Sequence, residues 1–283
     1  SLQYLKALVS SLWSGKLLMI MNDVIKRQWD FIIKEAGRLG MPVNNTRGIV
    51  REFLQVKILK YIFKQKASAD ISFMGGTCLR LVYDLNRFSE DLDFDIFIDS
   101  PELMPEIVRK TAADLKAEGY TSELQFAENG NTADIKFPGL PYAMGLSSHE
   151  NEKLQIKVDW DFKEKVFTPE VYLLSGFGII QRISANSEPV IFAEKIAAII
   201  YRKRPIPRDF FDIMELMARN ITPDAEVLRS LNIQTDDLPD QIIPRFKEMN
   251  IKQVENELKP FLFDNTQLNR LDLFEDLVIK KLC

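Results

Sequence analysis

Apolar residues in the first part of the chain recur at helical spacing: in VREFLQVKILKYIFKQ, Val50, Phe53, Leu54, Ile58 and Ile62 share one face. Two or three helices are expected from about Leu17 to Lys66, interrupted at MPVNNTRG, where Pro42, Asn44, Asn45 and Gly48 are turn and cap residues. From Ile71 the spacing changes. ISFM reads as a short strand, Gly75-Gly76 as a turn, CLRLVYDL as a helix, and DLDFDIFI, with its period of two, as a second strand. A helix is expected from about Pro101 to Glu118, and strands over Ser122 to Phe126, Thr132 to Phe137 and Leu154 to Trp160. After about Ser184 helical spacing returns in FAEKIAAIIYRK, breaks at Pro205 and Pro207, resumes in RDFFDIMELMAR and continues in patches to Cys283. The pattern predicts an α+β fold, a mixed sheet with flanking helices. Three parts are expected: N-terminal helices over 1–66 that brace the core, the core over 67–185, and a C-terminal helical domain over 186–283.

Composition narrows the chemistry. At 283 residues and 46% hydrophobic, the chain has enough apolar material for a core, yet its longest apolar runs, such as LLMIM at Leu17 to Met21, fall far below the ~20 residues of a membrane span. No small-residue cleavage site follows that run, so a secretory leader is not expected and a cytoplasmic location is. The only cysteines are Cys78 and Cys283, which makes a disulfide unlikely to be part of the design, and the only histidine, His149, lies in the polar stretch SSHENEK. Too few donors remain for a Cys/His zinc site, and a Ser-His-Asp triad would have to recruit a loop histidine. Any catalysis falls to carboxylates, lysines and a metal. The net charge of −4 argues against a surface that coats nucleic acid throughout, leaving room for a local basic patch such as YRKRPIPR, Tyr201 to Arg208.

Residues two apart on a strand point the same way, so Asp91, Asp93 and Asp95 share one face of DLDFDIFI and Leu92, Phe94 and Ile96 the other. Neighbouring carboxylates repel one another and call for a cation, and hard cations such as Mg²⁺ are held by carboxylate oxygens together with substrate phosphates. A solvated acidic edge accounts for the same pattern. Ahead of this strand, Gly75-Gly76-Thr77 joins a strand to a helix, the setting in which backbone N–H groups cradle phosphate; Thr77 would cap the helix or bond a phosphate oxygen. An ordinary strand-to-helix turn would also use these residues. Their order is what is informative: strand, Gly-Gly-Thr, one helix, then Asp-x-Asp on the next strand.

In that order the chain resembles the DNA polymerase β-like nucleotidyltransferases. The wording GGTCLRL…NRFSEDLDFDI, with REFLQVKILKYIF before it and FAEKIAAIIYRKRPIPRDFFDIMEL after it, is similar to the AbiEii/AbiGii abortive-infection toxin family over roughly Arg51 to Leu216. The resemblance implies Asp91 and Asp93 as the metal pair. Strand phase alone would equally allow Asp93 and Asp95. It further implies contacts to the nucleotide from Gly75, Gly76, Thr77, Arg87 and Ser89, with Arg87 alternatively neutralising the acidic strand. A third acid on a neighbouring strand is expected; in LQIKVDWD, Lys157, Asp159 and Asp161 share a face opposite Ile156, Val158 and Trp160, and Asp159 is the choice as metal ligand or base. Lys195 is the implied phosphate-binding lysine. Asp209 and Asp212 match the family's Arg-Asp-x-x-Asp, and Arg208 is spaced for an i,i+4 pair with Asp212.

The implied activity is Mg²⁺-dependent transfer of a nucleoside monophosphate from an NTP to an acceptor hydroxyl, by a type IV toxin with a separately encoded antitoxin and tRNA or another RNA as acceptor. Two other readings share these motifs: a small-molecule, antibiotic-modifying nucleotidyltransferase, and a non-catalytic nucleotide- or partner-binding module.

Overall fold

A computed structural model describes residues 23–128 and 130–282. The LLMIM run and the start of the first expected helix lie outside the described residues. The helical spacing that follows becomes α1 (Asp23–Arg27), α2 (Trp29–Arg38) and α3 (Thr46–Phe63). Asn45 caps α3, its side chain accepting from the Gly48 N–H at 2.9 Å and satisfying a donor that every helix start leaves open. Instead of one apolar face, α3 is buried around most of its circumference, with Glu52 and Gln55 as well as Phe53, Leu54 and Ile58 out of water.

Strand β1 (Ile71–Met74) passes directly into α4 (Gly75–Val82), and β2 (Leu92–Ile96) returns antiparallel to β1. Then follow α5 (Leu103–Ala117), β3 (Glu123–Phe126), β4 (Thr132–Pro138), the short α6 (Leu140–Ala143) and β5 (Lys153–Phe162). A hairpin of β6 (Glu170–Gly176) and β7 (Ile179–Ala185) comes next, with Phe177 (φ 51) and Gly178 (φ 71) both left-handed in its turn, as tight hairpins require. The remaining helices are α7 (Glu188–Tyr201), α8 (Pro207–Ala218), α9 (Ala225–Ser230), α10 (Leu238–Lys247), α11 (Ile251–Leu258) and α12 (Phe274–Leu282). The break between α7 and α8 falls at the two prolines, as expected. The β6–β7 hairpin was not expected from the pattern. Val171, Leu173 and Ile180 on it are 59%, 67% and 71% exposed, so its apolar residues do not alternate as a half-buried strand would.

The chain divides into two compact units. One comprises residues 23–69, 99–160 and 175–181. Within it β3, β4 and β5 form an antiparallel meander in which Ile135 lies opposite Ile156 and Ala133 opposite Val158. Ala133, Ile135 and Phe137 with Leu154, Ile156 and Val158 make its buried face, and Lys157 and Asp159 lie on the other.

The second unit comprises residues 70–98, 161–174 and 182–282. Its strands run in the order β2-β1-β7-β6, β2 antiparallel and β7 parallel to β1, which makes the sheet mixed and the fold α+β, as the pattern predicts. Phe73 and Phe94, opposite one another in the register, are buried with ring centroids 5.6 Å apart and fix the apolar face. Ser72, Met74, Asp93 and Asp95 occupy the other face. Among the described residues no helix is long and apolar enough to cross a membrane.

Candidate active site

The junction between β1 and α4 is tighter than a turn. Met74 is extended, Gly75 has a φ of 79°, and the helix begins at Gly75 itself. A side chain at Gly75 would land on the Asp93 carboxylate, its Cβ touching Oδ2 and lying 3.0 Å from Cγ. At Gly76 the same atom would sit 2.6 Å from Arg87 Nη2 and 3.0 Å from Ser89 Oγ. Each glycine therefore makes room for a group of the protein: one for a carboxylate of the acidic strand, one for a guanidinium. Thr77 does not cap the helix. It is fully buried and its Oγ1 donates to the backbone oxygen of Asp91, tying α4 to the start of the acidic strand.

Along that strand the three aspartates differ. Asp91 and Asp93 are partly accessible, whereas Asp95 is 1% exposed. Asn186, just before α7, donates from Nδ2 to Asp95 Oδ2 at 2.7 Å, and Glu194 of α7 hydrogen-bonds the same carboxyl. Burial raises the Asp95 pKa, opposed by Asn186, Lys163 and Glu194; burial and then the neighbouring Asp95 push Glu194 well above the ordinary carboxylate range. The segment after β5 runs beside β2, the Lys163 N–H donating to Ile96 O at 2.9 Å, and the Asp161 charge acts on Asp95. Asp159 belongs to the first unit, where it accepts from Thr132 Oγ1 at 2.7 Å and pairs with Lys157 Nζ at 2.6 Å.

A second cluster is a chain of alternating charges. Arg87, 1% exposed, forks onto Asp212 with Nε to Oδ1 and Nη2 to Oδ2, both at 2.7 Å, while Nη1 donates to Phe88 O at 2.8 Å. Lys195 Nζ lies 2.9 Å from Asp212 Oδ2 and 2.7 Å from Asp209 Oδ1, and Arg202 takes the other oxygen of Asp209. Burial disfavours the charged Lys195, but Asp209 and Asp212 outweigh it and its pKa is raised; burial likewise disfavours ionised Asp212, but Arg87 and Lys195 outweigh it and its pKa is lowered. The expected pair of Arg208 with Asp212 does not form. Asp212 is turned inward to two other cations, and Arg208 instead meets Glu90 at 3.0 Å and lies 4.5 Å over the Phe261 ring.

The loop that carries Arg87 is pinned from the C-terminal region. Phe88 N donates to Phe261 O at 2.8 Å, Phe263 N to Asn86 O at 3.3 Å, and Arg87 bridges to Leu262. Beneath them Arg80 stacks 4.5 Å from the Phe263 ring centroid. Of the expected site residues, this unit brings together Gly75, Gly76, Thr77, Arg87, Ser89, Asp91 and Asp93 around the start of α4, and Lys195, Asp209 and Asp212 around Arg87. Sequence reasoning passed over Asp161, Asn186 and Glu194. Asp161 shares a strand face with Asp159, and Glu194 precedes Lys195, so both stood one step from residues that were chosen.

Among the described residues no three Asp, Glu, His or Cys side chains are grouped closely enough to hold a metal by themselves. Partly accessible Asp91 and Asp93 instead offer the oxygen donors of a Mg²⁺ site completed by substrate phosphates and water, and the residues fit that ion.

Both the sheet and the strand-to-helix junction are those of a nucleotidyltransferase. MenT4, a nucleotidyltransferase toxin of Mycobacterium tuberculosis H37Rv, matches the chain with a TM-score of 0.59 at 16% identity over 88% of each chain. JHP933 from Helicobacter pylori gives a TM-score of 0.48 at 21% identity, over 84% of this chain and 94% of its own. No curated protein sequence matches. The family model described as "Nucleotidyl transferase AbiEii toxin, Type IV TA system" covers residues 57–279, and the chain belongs to that family.

Proposed function

We propose that this protein transfers a nucleoside monophosphate from an NTP to an acceptor hydroxyl, that the acceptor is RNA, tRNA being the first candidate, and that the transfer makes it the toxin of a pair whose antitoxin is encoded separately. The observation that carries the reading is Asp93 lodged against Gly75 at the start of α4. A carboxylate and the open N–H groups of a helix start then serve one metal-bound triphosphate.

The acceptor oxygen forms a bond to the α-phosphorus, the bond from that phosphorus to the oxygen bridging it to the β-phosphorus breaks, and pyrophosphate leaves. Asp91 and Asp93 would hold Mg²⁺, which supplies charge compensation for the triphosphate when bound. For the third carboxylate, which takes the acceptor proton, Asp159 was the expected residue; Asp161 is better supported, because it belongs to the same unit as Asp93 and acts on Asp95. Lys195, 13% exposed, faces the phosphates and is kept charged by Asp209 and Asp212. Arg87 and Asp212, both fully buried, act indirectly: they fix Lys195 and the turn at Gly76, and Ser89 is left as the loop's phosphate contact.

Purified protein incubated with labelled NTPs, Mg²⁺ and total tRNA tests the reading. Label passing to RNA with release of pyrophosphate, both absent in Asp93→Ala, is the expected result. No label on any RNA or protein fraction from the unaltered protein would overturn it.

A further inference from the structure

On the carboxylate side of β2 the fold gathers polar groups that nucleotidyl transfer itself does not call for. Asp93 and Asp95 project to the same side of the strand, and Ser72, opposite Asp95 in the register, projects with them. Asp95, Ser72 and Asn186 are buried. The Asn186 amide spans two acids, its Nδ2 lying 2.7 Å from Asp95 Oδ2 and 3.3 Å from Glu194 Oε2. Its backbone is held as well, the Asn186 N–H donating to Phe73 O at 2.9 Å in β1. In this position Asn186 Oδ1 is left without a hydrogen-bond partner, a cost that the amide bears while its other end reaches both carboxyl groups.

We propose that Asn186 and Glu194 are positioning residues that lock Asp95 as a buried anchor, so that β2 presents Asp93 to Gly75 in one fixed orientation and Asp95 takes no part in ligating metal. The inference rests on the reading of Asp91 and Asp93 as the metal pair. Two ionised carboxylates in hydrogen-bond contact away from water would repel one another, and a proton on Glu194, donated to Asp95, removes that repulsion. Glu194 then acts as a hydrogen-bond donor, a role an amide can also fill. An ionised ligand or base in the same place could not be so replaced.

The test compares Glu194→Gln, Glu194→Ala and Asn186→Ala in the full chain by three measurements: Mn²⁺ affinity in the presence of NTP, nucleotidyl transfer, and hydrogen exchange of the β2 amides. Glu194→Gln should keep Mn²⁺ affinity and transfer within about twofold of the unaltered protein. Glu194→Ala and Asn186→Ala should weaken Mn²⁺ binding about tenfold or more, as loss of a group that orients a metal ligand does, and should speed exchange in β2. Glu194→Gln failing as completely as Glu194→Ala, or Glu194→Ala binding Mn²⁺ with unaltered affinity, overturns the proposal. If the unaltered protein binds no Mn²⁺, the metal reading fails separately; the anchor is then decided by exchange alone, upheld if β2 loosens in Glu194→Ala but not in Glu194→Gln and overturned otherwise.

Discussion

Replacing Gly75 with alanine should damage activity far more than stability. The backbone there has a φ of 79°, a conformation that costs an L-residue with a side chain roughly 1–2 kcal/mol. For a chain of this size each kcal/mol lowers the melting temperature by about 2–4 °C, so the backbone term predicts a drop of roughly 2–8 °C. The new methyl group would also land on Asp93, 3.0 Å from its Cγ and 3.1 Å from its Cβ, and the carboxylate must move to admit it. A displacement on the order of 1 Å at a reacting centre costs about a hundredfold in rate. Gly76→Ala is the control: its methyl group meets Arg87 Nη2 at 2.6 Å and disturbs the fork on Asp212, so its damage should appear in melting. Steady-state transfer rates, Mn²⁺ affinity and thermal melts of both variants decide the matter. Gly75→Ala with unaltered rate and Mn²⁺ affinity would refute the reasoning, as would Gly76→Ala that loses activity while melting normally, since that glycine would then be admitting phosphate and not Arg87.

Other outcomes follow from the same geometry. Asp212→Ala leaves Arg87 and Lys195 buried without their shared counter-charge and should cost about 3–5 kcal/mol in denaturant unfolding. Because the Asp212 pKa is lowered on folding, its contribution is complete above the ordinary 3.8 and is lost as pH falls through the lowered value; because that of Lys195 is raised, its contribution is complete below 10.5 and is lost as pH rises through the raised value. Denaturation midpoints measured across both windows should fall at each end, and Asp212→Asn should flatten the acid end. Arg87→Lys keeps the charge but not the two-pronged contact and should also destabilise. Asp161→Asn should reduce transfer about a hundredfold or more, the scale of a lost acid–base group, with Asp159→Asn near unaltered; the reverse ranking would restore Asp159 as the third acid. Chelation with EDTA should abolish transfer, and added Mg²⁺ should restore it.

How far the chain could be read in advance depended on the range over which each feature is decided. Strand and helix periods are local, and β1, α4, β2, α7 and α8 fall where the spacing puts them. The acid and glycine motif is local too. What a glycine leaves room for is not: the letter records only a missing side chain, and Arg87, not a ligand, fills the space at Gly76. Asp95 looked like its two neighbours because its burial depends on Asn186 and Glu194, which lie roughly a hundred residues further on. Arg87 meets Asp212 across 125 residues, and no periodicity signals such a pairing. The Arg208–Asp212 spacing was correct for a helix, but spacing cannot say which of two neighbours a buried core will claim.

The backbone bridge between Asn86–Phe88 and Phe261–Phe263 sets an order in time. A ribosome completes every aspartate of the acidic strand, and later Lys195 and Asp212, well before it reaches Phe261. Until then the Arg87 loop has no strand segment to brace it and the Arg80 side chain no Phe263 ring to rest on. A nascent or prematurely terminated polypeptide therefore carries all the chemistry and lacks its setting, so that a cell translating this toxin meets the finished loop only when synthesis is nearly over.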